Sequence, residues 1–183
     1  MLYASFVKPT GIYDSFFNKI VARVTRGPFC HSEFVFRWTQ AELKQVLQRV
    51  KGFASIRTHM RRNKGADISV YTLWGDRVRF RVLNGFSEFW SVPEENLVHI
   101  DVPWEQELNA ITWLSQQMGA PYDKTGAVLS FYPWRTHAHA YDRYFCSQLM
   151  VCALQRLGKI KHANPGAVTP NKLFLLLQET RPE

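Results

Sequence analysis

An α+β fold is predicted, with an antiparallel sheet packed against helices. Three observations predict it. Strand-like alternation is concentrated between His31 and Asp101, Gly75-Asp76 between two such runs is a hairpin signal that makes neighbours antiparallel, and helical periodicity dominates from Pro103 onward. No internal repeat or low-complexity segment interrupts that order, so residues 1–183 read as a single domain with a helical and basic insertion around 39–65.

Leu2 to Lys8 is predicted as a short strand, broken by Pro9-Thr10-Gly11. Ile12, Phe16, Ile20 and Val24, with Phe17 and Val21 beside them, form a helical face that Gly27-Pro28 stops. His31 to Trp38 alternates as a strand, with Phe34, Phe36 and Trp38 on one side and His31, Glu33, Val35 and Arg37 on the other. Thr39-x-x-Glu42 is a capping box for a short helix carrying Leu43, Val46, Leu47 and Val50 and ending at Gly52. Arg57 to Lys64 is a basic loop.

Ile68 to Trp74 and Arg77 to Leu83 are the two strands of the hairpin, and Arg77, Arg79 and Arg81 make one face of the second strand basic. Further strands are predicted at Phe86 to Val92 and Leu97 to Asp101. Pro103 opens a helix with Glu105 and Glu107 in its first turn, Leu108, Ile111, Ser115 and Met118 facing inward, and Gly119 at its end. Pro121 to Gly126 is turn-rich, and Phe131 to Tyr144 is an aromatic and histidine-rich loop. Cys146, Met150, Ala153, Leu154 and Leu157 mark a buried helix closed by Gly158. Thr169-Pro170 starts the last helix, with Leu173, Leu176 and Leu177 as core contacts.

With 46% hydrophobic and 14% aromatic residues the chain has the composition of an ordinary globular protein able to bury a substantial core. Polar residues interrupt every apolar run well short of a membrane span, and Met1 to Thr10 lacks a signal-peptide pattern, so an intracellular, cytoplasmic protein is expected. Three cysteines argue against a disulfide framework, and their spacing matches no zinc pattern. A net charge of +8 points weakly toward nucleic acid, an anionic membrane surface or an acidic substrate.

Cys146 stands where the cysteine helix begins. There the helix dipole and unpaired backbone N–H groups stabilise a thiolate, although a small apolar core residue would fit the same stripe. A thiolate nucleophile needs a base, and the base needs an orienting acceptor. His31 supplies the first, and Glu33, two residues on along the same strand face, supplies a candidate for the second. From spacing alone, a satisfied strand-start histidine and a solvated glutamate explain the same pattern.

Taken together, Gly27-x-x-x-His31-x-Glu33-Phe34-Val35, Pro121-Tyr122-Asp123-x-x-Gly126, Phe145-Cys146-Ser147-x-Leu149 and Thr169-Pro170-Asn171 resemble the circularly permuted branch of the NlpC-type papain-like cysteine hydrolases. That branch includes YiiX-like proteins and, more distantly, the lecithin:retinol acyltransferase group. The histidine strand precedes the cysteine helix in it, as here. The resemblance implies a permuted papain-like fold, Cys146 as nucleophile, His31 as base and a polar third residue. Glu33 is the leading choice for the third residue, with Ser69, Thr72 and Glu88 as alternatives.

The activity expected is that of a thiol hydrolase, peptidase-like, or an acyltransferase acting on an amide, acyl ester or thioester of a peptide-like or lipid substrate. No metal or organic cofactor is implied. An anionic membrane surface is an open partner and nucleic acid a disfavoured one. The alternative is an inactive basic module that engages nucleic acid or anionic membrane. His137-x-His139 lacks a third ligand for a metal. Cys30 is expected on the strand face opposite His31, and Cys152 in inert core.

Overall fold

The computed structural model describes residues 1–50, 65–83, 94–132 and 142–180. The predicted strand Phe86 to Val92, the basic loop Arg57 to Lys64, Glu88 and the His137-x-His139 pair lie outside them. Five strands, β1 (Leu2–Val7), β2 (His31–Thr39), β3 (Gly65–Tyr71), β4 (Arg79–Leu83) and β5 (Leu97–Ile100), form one antiparallel sheet in the order β4-β3-β2-β1-β5. Six α-helices accompany it among the described residues: α1 (Phe16–Val24), α2 (Gln40–Arg49), α3 (Trp104–Gln116), α4 (Lys124–Leu129), α5 (Cys146–Arg156) and α6 (Pro170–Glu179). None is long and apolar enough to cross a membrane. The architecture is mixed α+β with an antiparallel sheet.

β2 is the central strand, and both of its faces are buried from His31 to Phe36. On one face Phe34 and Phe36 join Ala4, Phe6, Ile68, Val70 and Val98 in the main core, against which α3, α5 and α6 contribute Leu108, Ile111, Leu149, Leu154 and Leu173. On the other face the register sets Glu33 beside Ser5, and Ser69 beside both Val35 and Arg81. A buried polar seam therefore runs across the sheet. Within it Ser69 and Glu33 hydrogen-bond to each other, while the Ser5 hydroxyl has no partner among the described residues.

Local chemistry accounts for the helix boundaries. The Thr39 hydroxyl accepts from the Glu42 backbone N–H at 3.3 Å, and the Glu42 carboxylate in turn accepts from the Thr39 N–H at 2.8 Å. This helix ends at Arg49, short of Gly52. Thr169 caps α6, and Pro170 occupies a first-turn position where its missing N–H costs nothing. Gly158, at φ +73°, closes α5 in the left-handed region.

Four expectations are corrected. The apolar helical face read for the first helix does not turn to the core: Phe16, Ile20 and Val24 are exposed, and Val21 and Ala22 are the residues α1 buries. The hairpin is not a two-residue turn. Val78 leaves the ladder to exchange backbone hydrogen bonds with Ala120 and Gly119, so β3 and β4 pair only from Tyr71 and Arg79 outward. In α3 Leu108, Ile111 and Leu114 are buried while Ser115 is only half-buried, and Met118, just past the helix, packs against the core; Glu107 is buried too and accepts from Trp38 Nε1 at 2.6 Å. The turn-rich connection contains a short helix, α4, because Asp123 caps it through the Gly126 N–H at 2.8 Å.

Candidate active site

Cys146 is the first residue of α5 and His31 the first residue of β2. The fold brings the two ends together. The thiol and the imidazole line the same pocket, and both side chains are almost wholly buried. Burial alone would push the Cys146 thiol up; the neighbouring His31, with the backbone N–H groups of Ser32 and Ser147, outweighs it and holds the thiol below its ordinary value. Burial pushes the imidazole down, but its interaction with Cys146 and with the Glu33 carboxylate outweighs this and raises it to about 9. Both directions favour a thiolate–imidazolium pair.

Glu33 completes the line. Its Oε2 lies 3.8 Å from His31 Nε2, close enough for charge attraction but too far for a normal hydrogen bond. The carboxylate is instead held by Ser69 Oγ, which donates at 2.8 Å, and by Arg81 Nη2, which donates to its two oxygens at 3.1 and 2.9 Å. The Arg81 guanidinium in turn lies over the Tyr71 ring, 4.6 Å from its centroid. Of the alternatives weighed for the third position, Ser69 is a partner of Glu33 rather than of His31, and Thr72 lines the pocket in front of Cys146.

Each end is fixed by its own set of contacts. Tyr13 stacks on the imidazole, with ring centroids 5.3 Å apart and planes 19° from parallel. The turn leading into β2 is clamped by Asn171 of α6. Its Oδ1 accepts from the Phe29 N–H at 2.9 Å, and its Nδ2 donates to the Phe29 carbonyl at 2.9 Å and to Thr25. Gly27 lies so close that a Cβ there would sit 2.3 Å from Asn171 Oδ1. This is a physical reason for glycine four residues before the histidine.

At the other end the Ser147 hydroxyl donates to the Val168 carbonyl at 2.6 Å, and Gln148 Oε1 accepts from the Phe145 N–H at 3.1 Å. Pro121-Tyr122-Asp123 pairs with the segment before the cysteine: the Tyr144 N–H donates to the Pro121 carbonyl, and the Asp123 N–H donates to the Tyr144 carbonyl. A Cβ on Gly126 would collide with the capping Asp123 carboxylate at 2.2 Å. The short motifs thus act as braces around the two strand and helix ends.

Cys146 and His31 open onto a pocket whose wall is mostly apolar: Phe17, Val21, Leu73, Trp74, Tyr122, Ala127 and Phe131, with Thr72 and Ser130 as polar points. Cys30 lines it as well, which corrects its expected position on the far side. It precedes β2, so strand alternation does not govern it, and its thiol donates to the Val7 carbonyl at 3.3 Å. Burial and the nearby Cys146 push that thiol up to about 12, and burial does the same to Cys152. Sequence reasoning missed Tyr13 and Asn171. It also read Arg81 only as one of a basic strand face, although its alternation with Val82 and Phe80 carried the signal that it shares a face with Ser69. Compared with family models and with curated proteins, the sequence matches none.

Proposed function

We propose that this protein is a cysteine-nucleophile hydrolase or acyltransferase of the permuted papain-like, NlpC-type architecture, acting on an amide, ester or thioester carbonyl. The observation that carries it is a buried helix-start thiol and a buried imidazole lining one pocket, with the Glu33 carboxylate 3.8 Å from the imidazole. Three residue types that nucleophilic acyl transfer requires meet there in the order it requires.

In this reading the Cys146 thiolate attacks the carbonyl carbon, forming a C–S bond while the carbonyl electrons move to oxygen. The Cys146 backbone N–H, at the first position of α5 and without an intrahelical acceptor, is one donor to that oxyanion. Collapse breaks the C–N, C–O or C–S bond, and the His31 imidazolium gives its proton to the leaving group. The imidazole then takes a proton from water or from an alcohol, thiol or amine acceptor, which attacks the thioester and frees Cys146. Glu33, held by Ser69 and Arg81, stabilises the imidazolium across 3.8 Å. The apolar wall of the pocket suits a substrate with an acyl or aromatic portion.

The test is an acyl-enzyme. With a p-nitrophenyl acyl ester, an initial burst of nitrophenol and a single acyl adduct on Cys146, located by mass spectrometry of the quenched protein, are expected. Cys146→Ala should abolish both, and His31→Ala should come close to the same loss. No adduct on Cys146 with any ester or thioester tried would favour the inactive binding module.

A further inference from the structure

Helix α1 leaves an apolar stripe uncovered. Phe16, Ile20 and Val24, one helical turn apart, are 81%, 37% and 51% exposed. Isolated exposed apolar side chains are ordinary, but three in register on one short helix form a patch. What flanks the stripe is specific. On one side of the helix stand Lys19 and Arg23, each one residue before a member of the stripe; on the other stand Phe17 and Val21, which line the pocket in front of Cys146. Arg26 follows just beyond the helix end, also exposed.

The charge on this face is one-signed at its outer edge. Lys19 pairs with Asp14 across the start of the helix, while Arg23 and Arg26 have no acidic partner among the described residues. Across the pocket mouth the apolar rim continues. Trp74, which lines the same pocket, packs on Phe17 with ring centroids 4.0 Å apart and is itself 43% exposed, and Lys124 Nζ lies 5.7 Å from the Trp74 centroid. Apolar and aromatic side chains at the crest with cations beside them match the boundary between acyl chains and anionic headgroups.

We propose that α1 docks this protein on the surface of an anionic lipid bilayer. Phe16, Ile20 and Val24 enter the headgroup–acyl boundary, Lys19, Arg23 and Arg26 lie against lipid phosphates, and the pocket opens at the membrane surface. Docking goes beyond the acyl-transfer reading and does not depend on it, because none of these side chains takes part in the chemistry at Cys146.

Sedimentation of the full chain with vesicles of phosphatidylcholine, alone or mixed with phosphatidylglycerol, tests it. Binding is expected to the mixed vesicles and to weaken with salt. The triple variant Phe16→Ser/Ile20→Ser/Val24→Ser should lower vesicle affinity roughly tenfold or more. Lys19→Glu and Arg23→Glu should each lower it by roughly fivefold or more. Cys146→Ala should bind as wild type, so a failed acyl-transfer reading leaves docking standing. All these positions except Cys146 are exposed, and unchanged thermal melting shows that the surface variants remain folded. Absence of binding to the mixed vesicles overturns the proposal. So does binding that the triple variant leaves intact, which would mean charge alone, and so does a dimer in sedimentation velocity that the triple variant dissolves while vesicles capture nothing.

Discussion

Helices α1 and α5 are short, of 9 and 11 residues, and both repeat apolar residues at helical spacing, yet their surroundings are opposite. From Cys146 to Leu154 every residue of α5 is buried, including Ser147, which donates to the Val168 carbonyl, and Gln148, which accepts from the Phe145 N–H. α1 buries only Val21 and Ala22 and turns its most regular apolar stripe outward. Periodicity establishes that a helix has an apolar face, not what covers that face. A helix packed on all sides can hold a reactive group at its end in one geometry. A helix with a free face can meet a surface.

The largest expected difference between them is in stability. Leu154→Ala removes a wholly buried side chain from α5 and should cost about 2–5 kcal/mol in urea denaturation. Phe16→Ser, on the outward stripe, should change stability by no more than about 0.5 kcal/mol. A Phe16→Ser loss approaching the Leu154→Ala value would mean that the stripe packs against the fold after all.

A second measurement sharpens what the buried end of α5 does. Glu33→Gln keeps the shape and an acceptor oxygen but removes the charge facing the imidazole. Turnover of an ester substrate should fall by roughly one to three orders of magnitude, less than for His31→Ala, because an imidazole lowers a thiol pKa even without a carboxylate. Wild-type turnover in Glu33→Gln would remove Glu33 from the site, and Thr72 in the pocket wall would become the residue to test.

The smallest effect is one of selectivity within α5 itself. Cys146 and Cys152 lie on the same helix, but burial pushes Cys152 up to about 12 while the His31 partnership holds Cys146 below its ordinary value. Near neutral pH a limiting dose of iodoacetamide should label Cys146 before Cys152 or Cys30. The sign follows from the two shifts. A thiol lowered in the fold keeps its thiolate until pH falls through that lowered value. An imidazole raised from 6.5 to about 9 keeps its proton fully below 6.5 and loses it as pH rises through about 9. The charged pair therefore occupies the window between those limits, and the stability that the raised imidazole lends the fold, complete below 6.5, is lost as pH rises from there through about 9. Equal labelling of the three thiols would break the contrast between the end of α5 and its middle.

Legibility varied with the range of the interactions that decide each feature. The capping box at Thr39 and Glu42, the Thr169-Pro170 start, the Gly158 stop and the alternation of β2 depend on residues within one turn or one strand, and each was readable from the residues themselves. The types of the candidate triad were readable too, because a helix-start cysteine and a strand histidine with a glutamate on its face are local patterns.

The sequence by itself determined an α+β protein with a cysteine helix, a histidine strand and a first helix bearing an apolar stripe. Only the tertiary structure decided that Arg81 and Ser69 hold Glu33, that Tyr13 stacks on His31, that Asn171 clamps the turn before it, and that the stripe of α1 faces outward. The three contacts join residues far apart in the chain, and Val78 pairing with Gly119 and Ala120 rather than extending the hairpin is of the same kind. Local chemistry sets which conformation a segment prefers, but partners distant in sequence become neighbours only when burial of the shared core brings their elements together.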